Sequence, residues 1–121
     1  MSYNIDTFML KELSDIKFPL ASLYKNPRKD LHLEMINNDD GTVTFTKMGT
    51  KIDGKILDDN FQMTGVSCYG EGSGTIMSKV IEPALKDSTG RLVAVCIWEG
   101  GDCIDRLEVN DGDIKWVNIE L

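Results

Sequence analysis

The chain has 121 residues and a net charge of −7, with 41% hydrophobic and 27% charged residues, proportions that are ordinary for a globular protein. This length predicts a single domain, residues 1–121, that can bury a core. No apolar run approaches the roughly 20 residues of a membrane-spanning helix, and Lys and Arg are too scattered for a nucleic-acid-binding surface. We therefore expect no membrane and no nucleic-acid partner.

The N-terminus and the cysteines indicate a compartment. The first residues lack the basic segment and apolar stretch of a secretory signal, so we expect a cytoplasmic protein. An odd number of cysteines argues against a disulfide framework. We expect Cys68, Cys96 and Cys103 to be reduced and to behave as small apolar side chains. A bridge between Cys96 and Cys103 stays open, because the predicted strand register makes them diagonal neighbours.

The first predicted element is an N-terminal helix. Asp6 is a suitable N-cap. The apolar residues that recur near helical spacing are Phe8, Met9, Leu13 and Ile16. Pro19 interrupts this pattern, and residues 20–24 are expected to add one short helical turn.

Residues 31–48 are predicted to form a β-hairpin, because apolar and polar residues alternate on both sides of a turn signal at 38–41. A three-residue loop with Gly41 in the left-handed region would place Met35 opposite Phe45. Residues 51–57 and 61–69 are expected to form two further strands. Gly65 marks a bulge or a close contact in the second of them.

The most motif-like stretch is the glycine-rich segment 70–75, Gly-Glu-Gly-Ser-Gly-Thr, between a predicted strand and a predicted helix. Backbone N–H groups in such a loop can bind an anion. The segment has no lysine of the phosphate-binding motif, and Glu71 occupies the first glycine position of G-x-S-x-G. A flexible connector is the simpler interpretation. An enzyme at this loop would require Ser73, Cys68 or His32 to converge there.

The second predicted helix follows this loop. Its apolar positions are Ile76, Met77, Val80, Ile81, Ala84 and Leu85. Pro83 lies inside the pattern and predicts a kink, or an end near Glu82, because proline has no N–H and clashes with the preceding turn.

Residues 91–121 are predicted to form three antiparallel strands, the C-terminal meander. Gly100-Gly101 and Asp111-Gly112 are signals for two-residue turns. The cross-strand pairs that follow are Trp98–Cys103, Ile97–Ile104, Ala94–Leu107, Val109–Ile114, Glu108–Lys115 and Leu107–Trp116.

Both faces of the meander are apolar, so each one requires a cover. We expect a helix on one face and the N-terminal half of the chain on the other. Asp105 falls on the first face, beside Cys96 and Asn118. This position is either a polar patch at a strand edge or an acid in a pocket or binding surface.

The predicted fold class is α+β: a mainly antiparallel sheet of about six strands, with two helical segments, that ends in a three-stranded meander. The alternative is a small β-barrel with a ligand cavity, which many evenly spaced short strands also allow.

The functional prediction rests on charge and on the lack of a catalytic motif. One histidine and scattered cysteines give no zinc set, so no metal or cofactor is expected. Acidic residues are concentrated between 99 and 113, where Arg106 is the sole base, and an acidic surface steers basic partners. We expect a non-enzymatic protein-binding domain, an inhibitor or immunity-type protein that neutralises a basic partner such as a toxin nuclease. The predicted contact residues are Asp102, Asp105, Glu108, Asp111 and Asp113, with Trp98 and Trp116 as anchors.

Two alternatives remain. A small-molecule-binding domain would place its pocket between the sheet and a helix. An enzyme would use the 70–74 loop.

Overall fold

The computed structural model describes residues 4–101 and 103–119, which form one eight-stranded antiparallel sheet. The strands are β1 Ile5–Pro19, β2 Glu34–Asn37, β3 Val43–Lys47, β4 Thr50–Leu57, β5 Asn60–Cys68, β6 Thr89–Trp98, β7 Ile104–Asn110 and β8 Asp113–Asn118. Their order in space is β2-β3-β4-β5-β1-β6-β7-β8, so the first strand lies in the middle of the sheet. The mainly antiparallel α+β class is confirmed, with more strands than the six expected.

The sheet is open, with β2 and β8 as its two edges in the described part of the chain. The alternative of a small barrel is therefore wrong. Each half of the sheet is built from hairpins between consecutive strands, whereas β1 joins the halves through pairing with β5 and β6.

The predicted N-terminal helix is also wrong, because its residues belong to β1. The ladder between β1 and β6 has register shifts between Ile5 and Thr7, Leu10 and Glu12, and Ser14 and Lys17. Extra residues at such bulges disturb the period of two that an ordinary strand shows. The residues of β1 that reach the core are Ile5, Phe8, Leu13, Ile16 and Phe18. Several of them are three residues apart, which imitates the spacing of a helix.

A helix, α1, crosses the sheet and has three consecutive segments. It is an α-helix over Ser73–Ile76, a π-helix over Met77–Ile81 and an α-helix again over Glu82–Leu85. The six apolar positions predicted for its inner face are all buried, with at most 2% exposure. On a regular α-helix, each step of four residues rotates a side chain by about 40° around the helix axis, away from the buried face. The wider π turn reduces this rotation and keeps the apolar positions on one face. No helix in the described residues is long and apolar enough to cross a membrane.

The helix continues through Pro83 to Leu85, and the irregularity that Pro83 predicts is the π turn before it. Because proline has no N–H, the Lys79 carbonyl four residues earlier loses its usual donor. Asn26 Nδ2 donates a hydrogen bond to this carbonyl at 3.5 Å. The predicted short turn after β1 is a 3-10 helix over Leu20–Tyr24, and a second 3-10 helix spans Lys29–Leu31.

The C-terminal meander has the predicted register. All predicted pairs within β6, β7 and β8 are present, and Trp98 N donates to Cys103 O at 3.0 Å. Asp111 and Gly112 both have positive φ, 47° and 83°, as the mirror-image type I′ turn requires. The β2–β3 hairpin is confirmed as well, with Met35 opposite Phe45.

The core lies on the face of the sheet that α1 covers, and its buried side chains form one cluster across both halves of the sheet. The sequence predicted that the N-terminal half of the chain would cover the opposite face of the meander. This prediction is wrong, because β2–β5 extend the same sheet instead of packing on that face of β1 and β6–β8. Met9 and Val117, on that open face, are each 37% exposed.

Candidate functional site

A pocket of about 350 Å³ lies where α1 crosses the end of the meander. This volume is near the lower limit of small-ligand pockets, which is about 300 Å³. The side chains that matter for its chemistry are Trp98 on β6, Asp105 on β7, Trp116 on β8, Met77 and Glu82 on α1, and Cys103 before β7. It is named here the Trp98–Trp116 pocket.

The strand register brings the two tryptophans to Asp105. Asp105 pairs with Cys96 on one side and with Asn118 on the other. Trp98 is two residues beyond Cys96, and Trp116 is two residues before Asn118. Residues two apart share a face of a strand. Both indoles are therefore diagonal neighbours of Asp105 on the face that α1 covers.

Each indole is held by a carboxylate. Trp98 Nε1 donates to Asp105 Oδ2 at 2.8 Å, and Trp116 Nε1 donates to Glu82 Oε1 at 2.9 Å. The ring centroids are 6.2 Å apart and the rings are tilted by 48°, within the range of a favourable aromatic pair. These contacts fix the orientation of both rings within the protein.

The pocket is negatively charged. None of the described residues that line it is basic. The ion pairs in the described part of the chain are Lys25–Asp87, Arg28–Asp30, Arg91–Glu12 and Arg106–Glu108. Glu82 and Asp105 therefore have neutral hydrogen-bond donors as partners and no described cation.

The thiols are free, and the bridge left open between Cys96 and Cys103 is not formed. Burial raises the pKa of Cys68 to about 11. Burial, together with the nearby Cys68 and Asp105, raises the pKa of Cys96 to about 12. Cys103 is exposed at the pocket, and its pKa is raised by partial desolvation and by the neighbouring Asp105 carboxylate.

Three of the seven predicted contact residues, Trp98, Asp105 and Trp116, meet in this pocket. Glu108 lies on the opposite face of the sheet, where its Oε1 is 3.7 Å from Arg106 Nε. Asp102 lies outside the described residues.

Asp111 and Asp113 lie at the other end of the β7–β8 hairpin. Asp111 is six positions after Asp105 in the chain, a distance of roughly 20 Å along an extended strand. Asp111 Oδ1 accepts a hydrogen bond from Gly90 N at 2.9 Å, which ties the turn to the start of β6. The predicted acids therefore do not form one contiguous surface.

Sequence reasoning missed Glu82 and Met77 as pocket residues. Glu82 follows the buried Ile81, so the helical pattern places it at the border of the apolar face of α1, where a charged side chain can reach a pocket. Its contact with Trp116 joins residues 34 positions apart in the chain, and no local pattern predicts such a pairing.

The polar groups of the glycine-rich loop are hydrogen-bonded within the loop and to the start of β1. Ser73 is fully buried; its Oγ donates to Gly70 O at 2.6 Å and accepts from Ile5 N at 2.8 Å. His32 Nε2 lies 2.7 Å from Asn26 O, a separate contact. In the described part of the chain, no group of three His, Cys, Asp or Glu residues could hold a metal ion.

Comparison with models of protein families, with curated proteins and with solved structures finds no match to this chain.

Proposed function

We propose that this protein is a non-enzymatic binding module that captures a basic protein partner through the Trp98–Trp116 pocket. It would act as an inhibitor or immunity-type protein that neutralises a basic toxin such as a nuclease. One observation carries this proposal: two fixed indoles share a pocket with two carboxylates that have no described cation. Tryptophan is enriched among the residues that dominate interface energies, and an ionised carboxylate makes its strongest hydrogen bonds to a cationic donor.

The acids outside the pocket have a different role in this proposal. The net charge of −7 attracts a basic partner over a distance. Rim charges of this kind change mainly the association rate, whereas groups buried in an interface change mainly the dissociation rate. Glu108, Asp111 and Asp113 thus assist the encounter, and the pocket retains the partner.

The proposal is tested with an affinity pull-down from lysate of the source cell. The full chain is immobilised in three forms: wild type, the double variant Glu82→Gln/Asp105→Asn, and the control Glu34→Gln. The double variant keeps oxygen acceptors for both indole N–H groups and removes two charges from the pocket. Glu34 is exposed on β2, at the opposite edge of the sheet from β8. Bound proteins are eluted with a salt gradient and identified by mass spectrometry.

The expected result is a basic protein that wild type and Glu34→Gln retain and that the double variant releases at lower salt. Native mass spectrometry of the purified pair should then show a stoichiometric complex. If all three baits capture the same proteins with the same salt dependence, the pocket does not bind the partner and the proposal is wrong.

The steering role has its own test once a partner is in hand. Asp113→Lys is preferred to a reversal at Asp111, because Asp111 holds the turn to Gly90. Asp113 is exposed at the start of β8. We expect Asp113→Lys to lower the association rate several-fold at low salt and to leave the dissociation rate nearly unchanged. Stopped-flow kinetics at two ionic strengths measure both; an unchanged association rate would contradict steering.

A second candidate function is the binding of a small molecule in the same pocket. The observation in its favour is the position of the pocket between helix and sheet, with apolar walls and convergent polar groups. Native mass spectrometry of the protein, purified without denaturation, should then show a retained adduct that the double variant loses.

A further inference from the structure

The chemistry of the pocket specifies which group of a partner it accepts. We propose that the Trp98–Trp116 pocket binds the guanidinium group of one arginine side chain. That the arginine belongs to a basic protein rests on the proposed function. The preference of the pocket for a guanidinium group does not depend on it.

Charge and aromatic surface together select a cation. Glu82 and Asp105 are half-buried carboxylates, neither forms an ion pair with a described residue, and none of the described residues that line the pocket is basic. A positive group that entered the pocket would face both of them in surroundings that are poorer in water than the bulk, where opposite charges attract more strongly. Tryptophan is also the best aromatic partner for a cation. A neutral or anionic ligand gains from neither feature.

The placement of the rings decides how a cation would lie. The ring centroids are 6.2 Å apart and the rings are tilted by 48°, so Trp98 and Trp116 pack against each other and leave no slot between them. Because the rings are tilted, a planar ligand can lie flat against only one of the two half-buried indoles, and the carboxylates that accept from the indole N–H groups lie at the ring edges. This geometry suits a planar cation better than a spherical one.

The free hydrogen-bonding capacity points to guanidinium in particular. Glu82 Oε1 accepts from Trp116, and Asp105 Oδ1 accepts from Asn118 Nδ2 at 3.2 Å. Glu82 Oε2 makes no hydrogen bond to any described residue. Guanidinium has five N–H donors in one plane, so it can stack on an indole and donate to Glu82 at the same time. The compact, strongly hydrated lysine ammonium cannot do both as well.

Fluorescence provides a direct test. Both tryptophans of the chain line the pocket, so the tryptophan emission of the free protein reports on it alone. The probe is N-acetyl-arginine amide, titrated at constant ionic strength. N-acetyl-citrulline amide has the same shape without charge, and N-acetyl-lysine amide has the charge without the planar group. We expect a saturable change with the arginine probe, binding about tenfold weaker with the citrulline probe, and intermediate binding with the lysine probe.

Two charge-removing variants locate the effect. Glu82→Gln should weaken binding of the arginine probe about tenfold, the size expected for the loss of one charge-assisted hydrogen bond. Asp105→Asn should weaken it less, because both Asp105 oxygens already accept hydrogen bonds within the protein and only the attraction of its charge is lost. Glu34→Gln is the matched control and should bind as wild type does. Far-UV circular dichroism and urea midpoints establish that all three variants are folded, and the citrulline comparison needs no variant.

Three outcomes would overturn the inference. They are the lack of a saturable response to arginine, equal binding of arginine and citrulline, and lysine binding as tight as arginine binding. Failure here is distinguishable from failure of the proposed function. A salt-sensitive basic partner captured without any arginine response leaves the function standing. An arginine response without a protein partner leaves the pocket chemistry standing.

Discussion

Gly90 shows how strongly a single backbone position constrains this fold. Its φ is +92°, and a Cβ at this position would lie 2.2 Å from Asp15 O. We predict that Gly90→Ala destabilises the protein by at least about 3 kcal/mol, because left-handed strain of about 1–2 kcal/mol adds to a clash with backbone that cannot move easily.

Gly41 provides the matched control. Its φ is +85°, but a Cβ there would meet no atom within 4 Å. Gly41→Ala should therefore show the strain alone, about 1–2 kcal/mol. Urea denaturation measures the free energy of unfolding of both variants. Equal losses of unfolding free energy in the two variants would show that the β1 backbone at Asp15 moves to relieve the clash at position 90.

At the scale of elements, Asp87 joins the end of α1 to the 3-10 helix Leu20–Tyr24. Ser22 Oγ donates to Asp87 Oδ2 at 2.7 Å, and Lys25 forms an ion pair with the same oxygen. Hydrogen bonds from Lys25 and Ser22 lower the pKa of Asp87 below its ordinary value of 3.8. A lowered pKa in the folded state means that the ionised carboxylate stabilises the fold above pH 3.8, and that this contribution is lost as pH falls through the folded pKa.

We therefore predict that Asp87→Asn is less stable than wild type at pH 7 and that this difference shrinks as the pH falls below 3.8. The loss should be modest, within about 1 kcal/mol, because the pair is partly exposed to solvent. Urea denaturation across this pH range measures it. Asp39→Asn, in the exposed loop between β2 and β3, serves as the control and should show a smaller effect at pH 7. A difference from wild type that persists unchanged at pH 2 would contradict the ionic origin.

Elements also differ in how far the sequence could predict them. The α1 helix was predictable because its apolar residues face one core at near-regular intervals. β1 was not, because bulges moved its core-facing residues out of the period of two. Phe8 and Leu13, both part of the helical pattern, are in fact opposite Cys96 and Leu92 on β6.

At the scale of the whole molecule, the fold separates one accessible thiol from two buried ones. Cys103 is exposed, whereas Cys68 and Cys96 have 0% exposure. The thiolate is the reactive form, and burial raises the pKa of Cys68 to about 11 and, with its neighbours, that of Cys96 to about 12. We predict that a disulfide reagent such as Ellman's reagent modifies one thiol in the native protein and three in urea.

Absorbance of the released thiolate counts the modified groups. Cys103→Ser should abolish the native reaction and leave two reactive groups in urea. Rapid reaction of a second thiol in the native wild type would show that the core opens on the time scale of the assay.

Local sequence patterns were sufficient to predict the hairpins of this protein and the buried face of α1. Turn residues such as Gly41 and the Asp111-Gly112 pair set local registers, because few backbone conformations can close a short loop. Helical periodicity marked the buried side of α1 in the same local way.

The position of β1, the open outer face of the sheet and the pocket depend on long-range contacts that no local pattern predicts. β1 is a strand because β5 and β6 supply its partners from distant parts of the chain. Glu82 meets Trp116 because α1 crosses the meander at that point. Such contacts join residues far apart in sequence, and their free energy exists only when the whole sheet and its helix are assembled.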